Sequence, residues 1–382
     1  MNEKINVLVI GMAPQFGGIE TFLINAFRNI NHKKIRFDFL TFYPHCAFED
    51  EILSAGSSVF HITRRGVNPI KNKIELKNFF KAHTEAYDYV WYHISSPSNI
   101  VPIVLAKKYT NAKTVLHCHG TAFESSAIFK PLHLFLSKIN FNKMKNNTDY
   151  CFACSDKAGD YLFKGECGDV KIIKNGISTE CCKFNESIRN QVRNELGIGE
   201  ETVLIGNVGR LCQIKNQDFL IECFAAYKKT NGNSVLAIAG DGEMKNQLVA
   251  KAQSLGVDGD VIFLGFRNDL NRLLQAFDLF MLTSFNEGFP ISVIEAQTAG
   301  LRCLISDSVT KDVAITDLVD YMPLSLEAEK WADKIGRLAN RKLSSVDRAG
   351  YSEAVKLAGY DIINTAAEVE GFFLENQEEF LK

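Results

Sequence analysis

Runs of Val, Ile, Leu and Phe recur along the chain, and between them lie longer stretches whose apolar positions return every three or four residues. The runs predict strands at Ile5–Ile10, Phe37–Phe42, Ser58–His61, Tyr89–His93, Lys113–His117, Tyr150–Ala153 and Val170–Ile173. A second series follows at Thr202–Val208, Ser234–Ala239, Val261–Leu264, Leu279–Leu282 and Arg302–Ser306. Most are continuously apolar rather than alternating, the pattern of parallel strands buried on both faces. Amphipathic segments of helical length, such as Gln217–Lys229, Glu243–Ser254 and Asn268–Phe277, sit between them. That order predicts an α/β fold built from doubly wound parallel sheets. The series restarts near residue 200, after Asn175-Gly176-Ile177-Ser178, and an Asn-Gly turn there reads as an interdomain connector. Two Rossmann-like domains facing a cleft are expected, over 1–180 and 181–363.

Composition narrows the class. In 382 residues, 46% are hydrophobic, 11% aromatic and 23% charged, which supports more than one core and excludes disordered, collagen-like and coiled-coil chains. The net charge of -2 points to no nucleic-acid partner. It hides an asymmetry: residues 1–185 hold 23 Lys and Arg against 16 Asp and Glu, and the remainder hold 20 against 29. No apolar run has the ~18–20 residues of a membrane span, and the N-terminus reads as a first strand rather than an export signal. The ten cysteines are therefore expected to be reduced. Cys151 and Cys154 lie in a strand-like run, where residues three apart point to opposite faces, so burial is expected for them rather than a metal or redox role.

Ligands of doubly wound sheets bind beyond the carboxyl ends of the strands, which directs attention to the loops there. Glu287-Gly288-Phe289-Pro290-Ile291-Ser292 follows a strand and opens a helix that carries Glu295. Amides at a helix start, unobstructed at Gly288, suit a phosphate or sugar oxygen, although two acids on a capped helix are also an ordinary solvated pair. Gly209-Arg210-Leu211-Cys212-Gln213-Ile214-Lys215-Asn216 offers Arg210 and Lys215 to a diphosphate, with two surface cations the plainer alternative. Gly17 and Gly18 make a small-residue turn ahead of a helix, without dinucleotide-fingerprint spacing. His117 and His119 share one side of a strand end, where a histidine is either a substrate contact or a satisfied core residue. Asp258-Gly259-Asp260 has the spacing of a metal-binding pair but precedes a strand, away from those loops. Ile128–Lys145 mixes apolar residues with Lys130, Lys138, Lys143 and Lys145 and has no acid. It is either a packed helix with solvated lysines or one that lies on an anionic membrane.

Together these residues make the chain resemble the retaining, nucleotide-sugar-dependent GT-B glycosyltransferases of family 4. The resemblance rests on Gly17-Gly18-Ile19-Glu20, His119-Gly120, Asn175-Gly176-Ile177, Gly209-Arg210-Leu211 with Lys215-Asn216, Ala239-Gly240-Asp241-Gly242, Phe263-Leu264-Gly265 and the Glu-x7-Glu pair Glu287 and Glu295. It is closest in look to bacterial transferases that build capsular or exopolysaccharide repeat units. It implies that Arg210 and Lys215 bind the donor diphosphate and that Glu295 bonds the ribose hydroxyls. Glu287 with the backbone of Gly288 and Phe289 would hold the donor sugar, with the amides of Ile291 and Ser292 on phosphate. His119 would lie near the transferred sugar, Gly17 and Gly18 would border phosphate and acceptor, and Gly265-Phe266-Arg267 would frame the base. The first domain would take the acceptor, and a last helix near 364–382 would return to it.

The implied reaction moves a hexose or N-acetylhexosamine from a nucleotide-diphosphate sugar to a saccharide, expected to be lipid-linked, at the cytoplasmic face of the plasma membrane. Neither a metal nor another cofactor is expected. A nucleotide-sugar epimerase and a silent scaffold subunit of the same fold are the alternatives. The segment Asp307-Ser308-Val309-Thr310-Lys311-Asp312 departs from the family, lacking its frequent glycine-rich loop ending in Glu, and Cys212 is unusual in the phosphate loop.

Overall fold

The computed structural model describes residues 4–14, 17–120, 130–163 and 168–375. The chain divides into two units, Met1–Gly176 with Ile362–Lys382, and Ile177–Asp361. The first holds a seven-stranded sheet of β1 (Ile5–Ile10), β2 (Ile35–Thr41), β3 (Val59–His61), β4 (Tyr89–Ile94), β5 (Lys113–Cys118), β6 (Tyr150–Ala153) and β7 (Val170–Ile172), ordered β3-β2-β1-β4-β5-β6-β7. The second holds β8 (Val203–Val208), β9 (Ser234–Ala239), β10 (Val261–Gly265), β11 (Leu279–Leu282), β12 (Cys303–Ser306) and β13 (Val319–Met322), ordered β10-β9-β8-β11-β12-β13. Every pairing is parallel. In each sheet the strand order reverses once, between β1 and β4 and between β8 and β11, which defines the two switch points where such sheets take ligands.

Two cores per sheet explain the continuous apolar runs. Along β11, Leu279 and Met281 enter one cluster while Phe280 and Leu282 enter the other. Along β4, Tyr89 and Trp91 face one core while Val90, Tyr92 and Ile94 face the second. A strand covered on both faces has no solvent side to encode, so its sequence does not alternate.

The last described helix, Ile362–Glu375, belongs to the first unit. Val369, Phe372 and Phe373 pack in its core, with Phe373 edge-on to Tyr89 and Trp91 at centroid distances of 4.9 and 5.5 Å. The chain leaves and re-enters the first unit side by side. A Cβ on Gly176 would stand 2.4 Å from Thr365 Oγ1 and 2.9 Å from Ile362 Cα, so the Asn-Gly connector is glycine because a second segment passes over it.

Two expectations change. The strand Val319–Met322 was not foreseen: it is an edge strand of half-buried positions carrying Asp320. Cys151 and Cys154 are buried, free thiols, but both lie in the same core cluster rather than on opposite faces, because β6 ends at Ala153. The amphipathic segment at Ile128–Lys145 forms a helix over Lys130–Lys145, and Ile128 and Phe129 lie outside the described residues. Asp258-Gly259-Asp260 is a 3-10 turn at the amino end of β10, and Asp260 is paired with Lys228 at 2.8 Å.

Candidate functional site

The loops that leave β8 and β11 flank the switch point of the second sheet and are joined to each other. Phe285 N–H donates to Ile214 O at 2.8 Å, and Thr283 Oγ1 donates to Asn216 O at 2.9 Å. Asn216 adopts a left-handed conformation, φ 53°, a turn that Asn tolerates and most residues do not. It ends the short helix Gln213–Lys215 and starts the helix Gln217–Lys228. This stitching delivers Lys215 to Glu287: Nζ lies 2.5 Å from Oε1, with side chains 19% and 14% exposed. Ser284 Oγ donates to the same carboxylate oxygen at 2.8 Å.

Behind Glu287, Pro290 precedes the helix Ile291–Thr298, leaving the first amides of that helix without intrahelical acceptors. Phe289 stacks on Tyr360, centroids 5.3 Å apart. Glu295 is half-buried, and its carboxyl has no hydrogen-bond or ion-pair partner among the described residues. Burial pushes its carboxyl up to about 7. The departing segment after β12 finds its own contacts here: Ser308 Oγ donates to Ser284 O at 2.7 Å and Val309 bridges to Glu287. Arg210 is half-exposed and paired with Glu243 at 3.0 Å, so of the two cations Lys215 alone is joined to Glu287. Gly265 ends β10 with φ 65°, Phe266 is exposed, and Arg267 is held in a fork by Asp269 at 2.7 Å from both Nε and Nη2.

The first unit brings a second group of residues together at its own switch point. His93, at the end of β4, pairs in register with His117 of β5, and His119 follows two residues on. His93 Nδ1 and His119 Nε2 lie 2.9 Å apart, and the His117 and His119 rings are 4.1 Å apart. All three rings lie within 6 Å of the Phe22 ring. His93 Nε2, both His117 nitrogens and His119 Nδ1 are buried without a hydrogen-bond partner. Burial holds His93 and His117 well below the usual imidazole range and His119 at about 3, so the trio is uncharged. It is the one grouping among the described residues with metal-ligand proximity, one nitrogen per ring within 4.8 Å of the others. Its shortest pair has the spacing of an N–H···N hydrogen bond.

His119 is followed by glycine because a Cβ on Gly120 would stand 2.1 Å from Ser95 O. Gly17 precedes the helix Gly18–Asn29. From that helix the buried Glu20 accepts Ala13 N–H at 3.1 Å, with its carboxyl raised by burial.

Sequence reasoning identified both loops of the second unit but not the Lys215–Glu287 contact. It ended a predicted strand at His93 but did not join that residue to His117 and His119, because the β4–β5 register that does so is not written in the local sequence.

Comparison with known proteins gives the site its context. Residues 188–352 match the family described as glycosyl transferases group 1. The chain is 31% identical over 354 residues to the putative glycosyltransferase EpsF of Bacillus subtilis, covering 90% of each. It is 24% identical over 392 residues to the Escherichia coli UDP-Gal:alpha-D-GlcNAc-diphosphoundecaprenol alpha-1,3-galactosyltransferase, covering 98% of each. Among solved structures, Anabaena HepE in complex with UDP-glucose superposes with a TM-score of 0.78 at 19% identity, over 98% of this chain and all of that one. WaaG, a glycosyltransferase of lipopolysaccharide biosynthesis, gives 0.73 at 17% identity, over 96% and 99%. These structures share the GT-B fold with this chain.

Proposed function

The chain belongs to the group 1 glycosyl transferases, and from that premise we propose that it is a retaining hexosyltransferase of family 4. It takes a nucleotide-diphosphate sugar as donor and a lipid-linked saccharide as acceptor in cell-surface polysaccharide synthesis. The observation that supports this reading is the Lys215–Glu287 pair, a cation and a carboxylate joined at the switch point next to a helix start.

Lys215, with Arg210 once it leaves Glu243, neutralises the diphosphate, and the amides of Ile291 and Ser292 take its oxygens. Glu287 and the backbone of Gly288 and Phe289 hold the hexose, Glu295 bonds the ribose hydroxyls, and Gly265-Phe266-Arg267 borders the base. His119 contacts the transferred sugar as a neutral imidazole, and Gly17 and Gly18 border phosphate and acceptor. The acceptor hydroxyl attacks the anomeric carbon on the face the diphosphate leaves, passes its proton to the departing phosphate oxygen, and so retains configuration. Fixed positive charge and amide dipoles aimed at the leaving oxygen supply the main stabilisation, and turnover needs no divalent ion.

The HepE and E. coli relatives support the donor and acceptor classes by their named ligands. The acid-free helix Lys130–Lys145, with Phe135 and Ile139 exposed one turn apart, supports peripheral contact with an anionic membrane at its cytoplasmic face. No described helix is long and apolar enough to cross a membrane.

The test is acceptor-dependent release of nucleoside diphosphate from a panel of nucleotide sugars, with and without EDTA, for wild type, Lys215→Ala and Glu287→Ala. Release that requires acceptor, survives EDTA and falls in both variants supports the reading. Donor conversion without acceptor, unchanged turnover in both variants, or dependence on an added divalent ion overturns it.

A further inference from the structure

A cavity of about 160 Å³ lies at the opposite end of the second sheet from the loops that follow β8 and β11, beside the amino ends of β11 and β12. Its wall carries five cations, Arg189, Arg302, Arg341, Lys342 and Arg348, and two carboxylates, Glu186 and Asp278. Both carboxylates are already engaged. Asp278 closes on Arg189 at 2.5 Å and on a sixth cation, Arg193, at 3.1 Å, and it accepts Leu204 N–H at 2.8 Å. Glu186 accepts Ser345 Oγ–H at 3.1 Å. The lining therefore has a surplus of positive charge that nothing within this wall offsets.

Arg348 shows the cost of that surplus. It is 8% exposed; its Nε donates to Ala299 O at 3.1 Å and its guanidinium lies 3.9 Å over the Phe184 ring. Its Nη2 is buried with no hydrogen-bond partner. Burial first, and Arg189 next, push its pKa down to about 9. A buried guanidinium with an unused donor, facing other cations, is unfavourable unless something pairs with it. Arg302 is already steered by its Nε–H donation to the Arg341 backbone carbonyl at 3.2 Å, which fixes its side chain at the cavity wall without a ligand.

We propose that this cavity binds a small phosphate-type oxyanion, held by Arg302, Arg341 and Lys342 around the buried Arg348. Arginine forks match tetrahedral oxyanions by paired N–H···O bonds, which favours phosphate over chloride. The volume is below the roughly 300–1,000 Å³ of ordinary ligand pockets, which suits a group of phosphoryl size. The site shares no residue with the proposed donor site and stands independently of the transferase reading.

The experiment titrates the full chain with inorganic phosphate at constant ionic strength set by chloride, following melting temperature and heat of binding, with glycerol 3-phosphate as a parallel arm. Phosphate is expected to raise the melting temperature by mass action on the folded state. The double variant Arg302→Gln/Arg341→Gln changes half-exposed and exposed side chains, so it should fold, and its phosphate affinity should drop roughly tenfold or more, since each charge-assisted bond lost is worth ~1.4 kcal/mol or above. Lys215→Ala removes any phosphate held at the proposed donor site and should leave in place the binding that the double variant loses. Binding of both probes identifies the phosphoryl end of a larger molecule as an acceptable ligand, and binding of inorganic phosphate alone identifies the free ion; either supports the site. Equal affinity in the double variant and wild type, or loss of binding in Lys215→Ala, overturns it.

Discussion

Lys215 and Glu287 meet across the β8–β11 switch point, Nζ to Oε1 at 2.5 Å, with both side chains largely withdrawn from water. In the free protein each is therefore the other's counter-ion; in the proposed donor complex, a diphosphate engaging Lys215 would release the Glu287 carboxylate to accept sugar hydroxyls. On that proposal, recognition of phosphate and of sugar would be coupled through this one contact. Lys215→Ala is expected to lower kcat/KM by about 10²–10³, the usual scale for removing one preorganised group from developing charge. Steady-state kinetics with a matched acceptor measure it.

The same contact predicts a non-additive stability pattern. Lys215→Met leaves a half-buried carboxylate unpaired and should destabilise by about 1–3 kcal/mol, whereas adding Glu287→Gln removes that charge. The double variant should then be less destabilised than the sum of the singles, by an amount that urea unfolding of all four proteins reads directly. Strict additivity would mean the two charges do not interact in solution.

Glu295 makes a prediction with the opposite sign to most carboxylates. Its folded pKa of about 7 lies above the ordinary value of 4.5 because burial disfavours the charge. The native state therefore holds a proton that the unfolded chain releases, and stability is lost as pH rises from about 4.5 through 7. Glu295→Gln should match wild type near pH 4.5 and be more stable at pH 8, by on the order of 3 kcal/mol. Unfolding curves at the two pH values test this, and a variant equally stable relative to wild type at both would show that Glu295 titrates normally.

The fold was legible because parallel strands covered on both faces write themselves as uninterrupted apolar runs, as Leu279–Leu282 does. Where one side is less covered the signal fails: Val319-Asp320-Tyr321-Met322 pairs only with β12, and its Asp320 is drawn to Lys334. The loops carrying Lys215 and Glu287 were legible as motifs, but their contact depends on β8 and β11 being neighbours, a relation of strand order that no local pattern encodes. His93 reaches His117 for the same reason, through the β4–β5 register. The Arg348 cavity gathers residues from Phe184 to Arg348, so nothing short of the folded chain displays it.

The histidine trio makes the native state sensitive to acid. His93, His117 and His119 are held below the usual imidazole range, His119 at about 3, by burial. Their stabilisation is complete above the unfolded value of about 6.5 and is lost as pH falls below it, because the unfolded chain takes up protons that the native cluster refuses. His117→Leu removes one such group from among Phe22, Trp91 and Phe152. It should flatten the loss of stability on acidification below about pH 6.5 relative to wild type, read from denaturation midpoints across that range.

Phe135 and Ile139 stand one turn apart on the helix Lys130–Lys145, 62% and 44% exposed. The last turn of that helix adds Lys143 and Lys145, and its sequence contains no acid. Apolar side chains left in water beside lysines are unfavourable in a purely aqueous setting and favourable against an anionic bilayer, where each buried ring or branched chain contributes about 1.5–3 kcal/mol and each nearby lysine about 1. The full chain should therefore sediment with vesicles containing phosphatidylglycerol and much less with phosphatidylcholine alone. Phe135→Ser/Ile139→Ser should weaken the anionic-vesicle binding by at least tenfold at constant salt. Raising the salt should weaken wild-type binding without abolishing it, because the apolar part is not screened. Equal partitioning of the double variant and wild type would remove this helix from the membrane-facing surface.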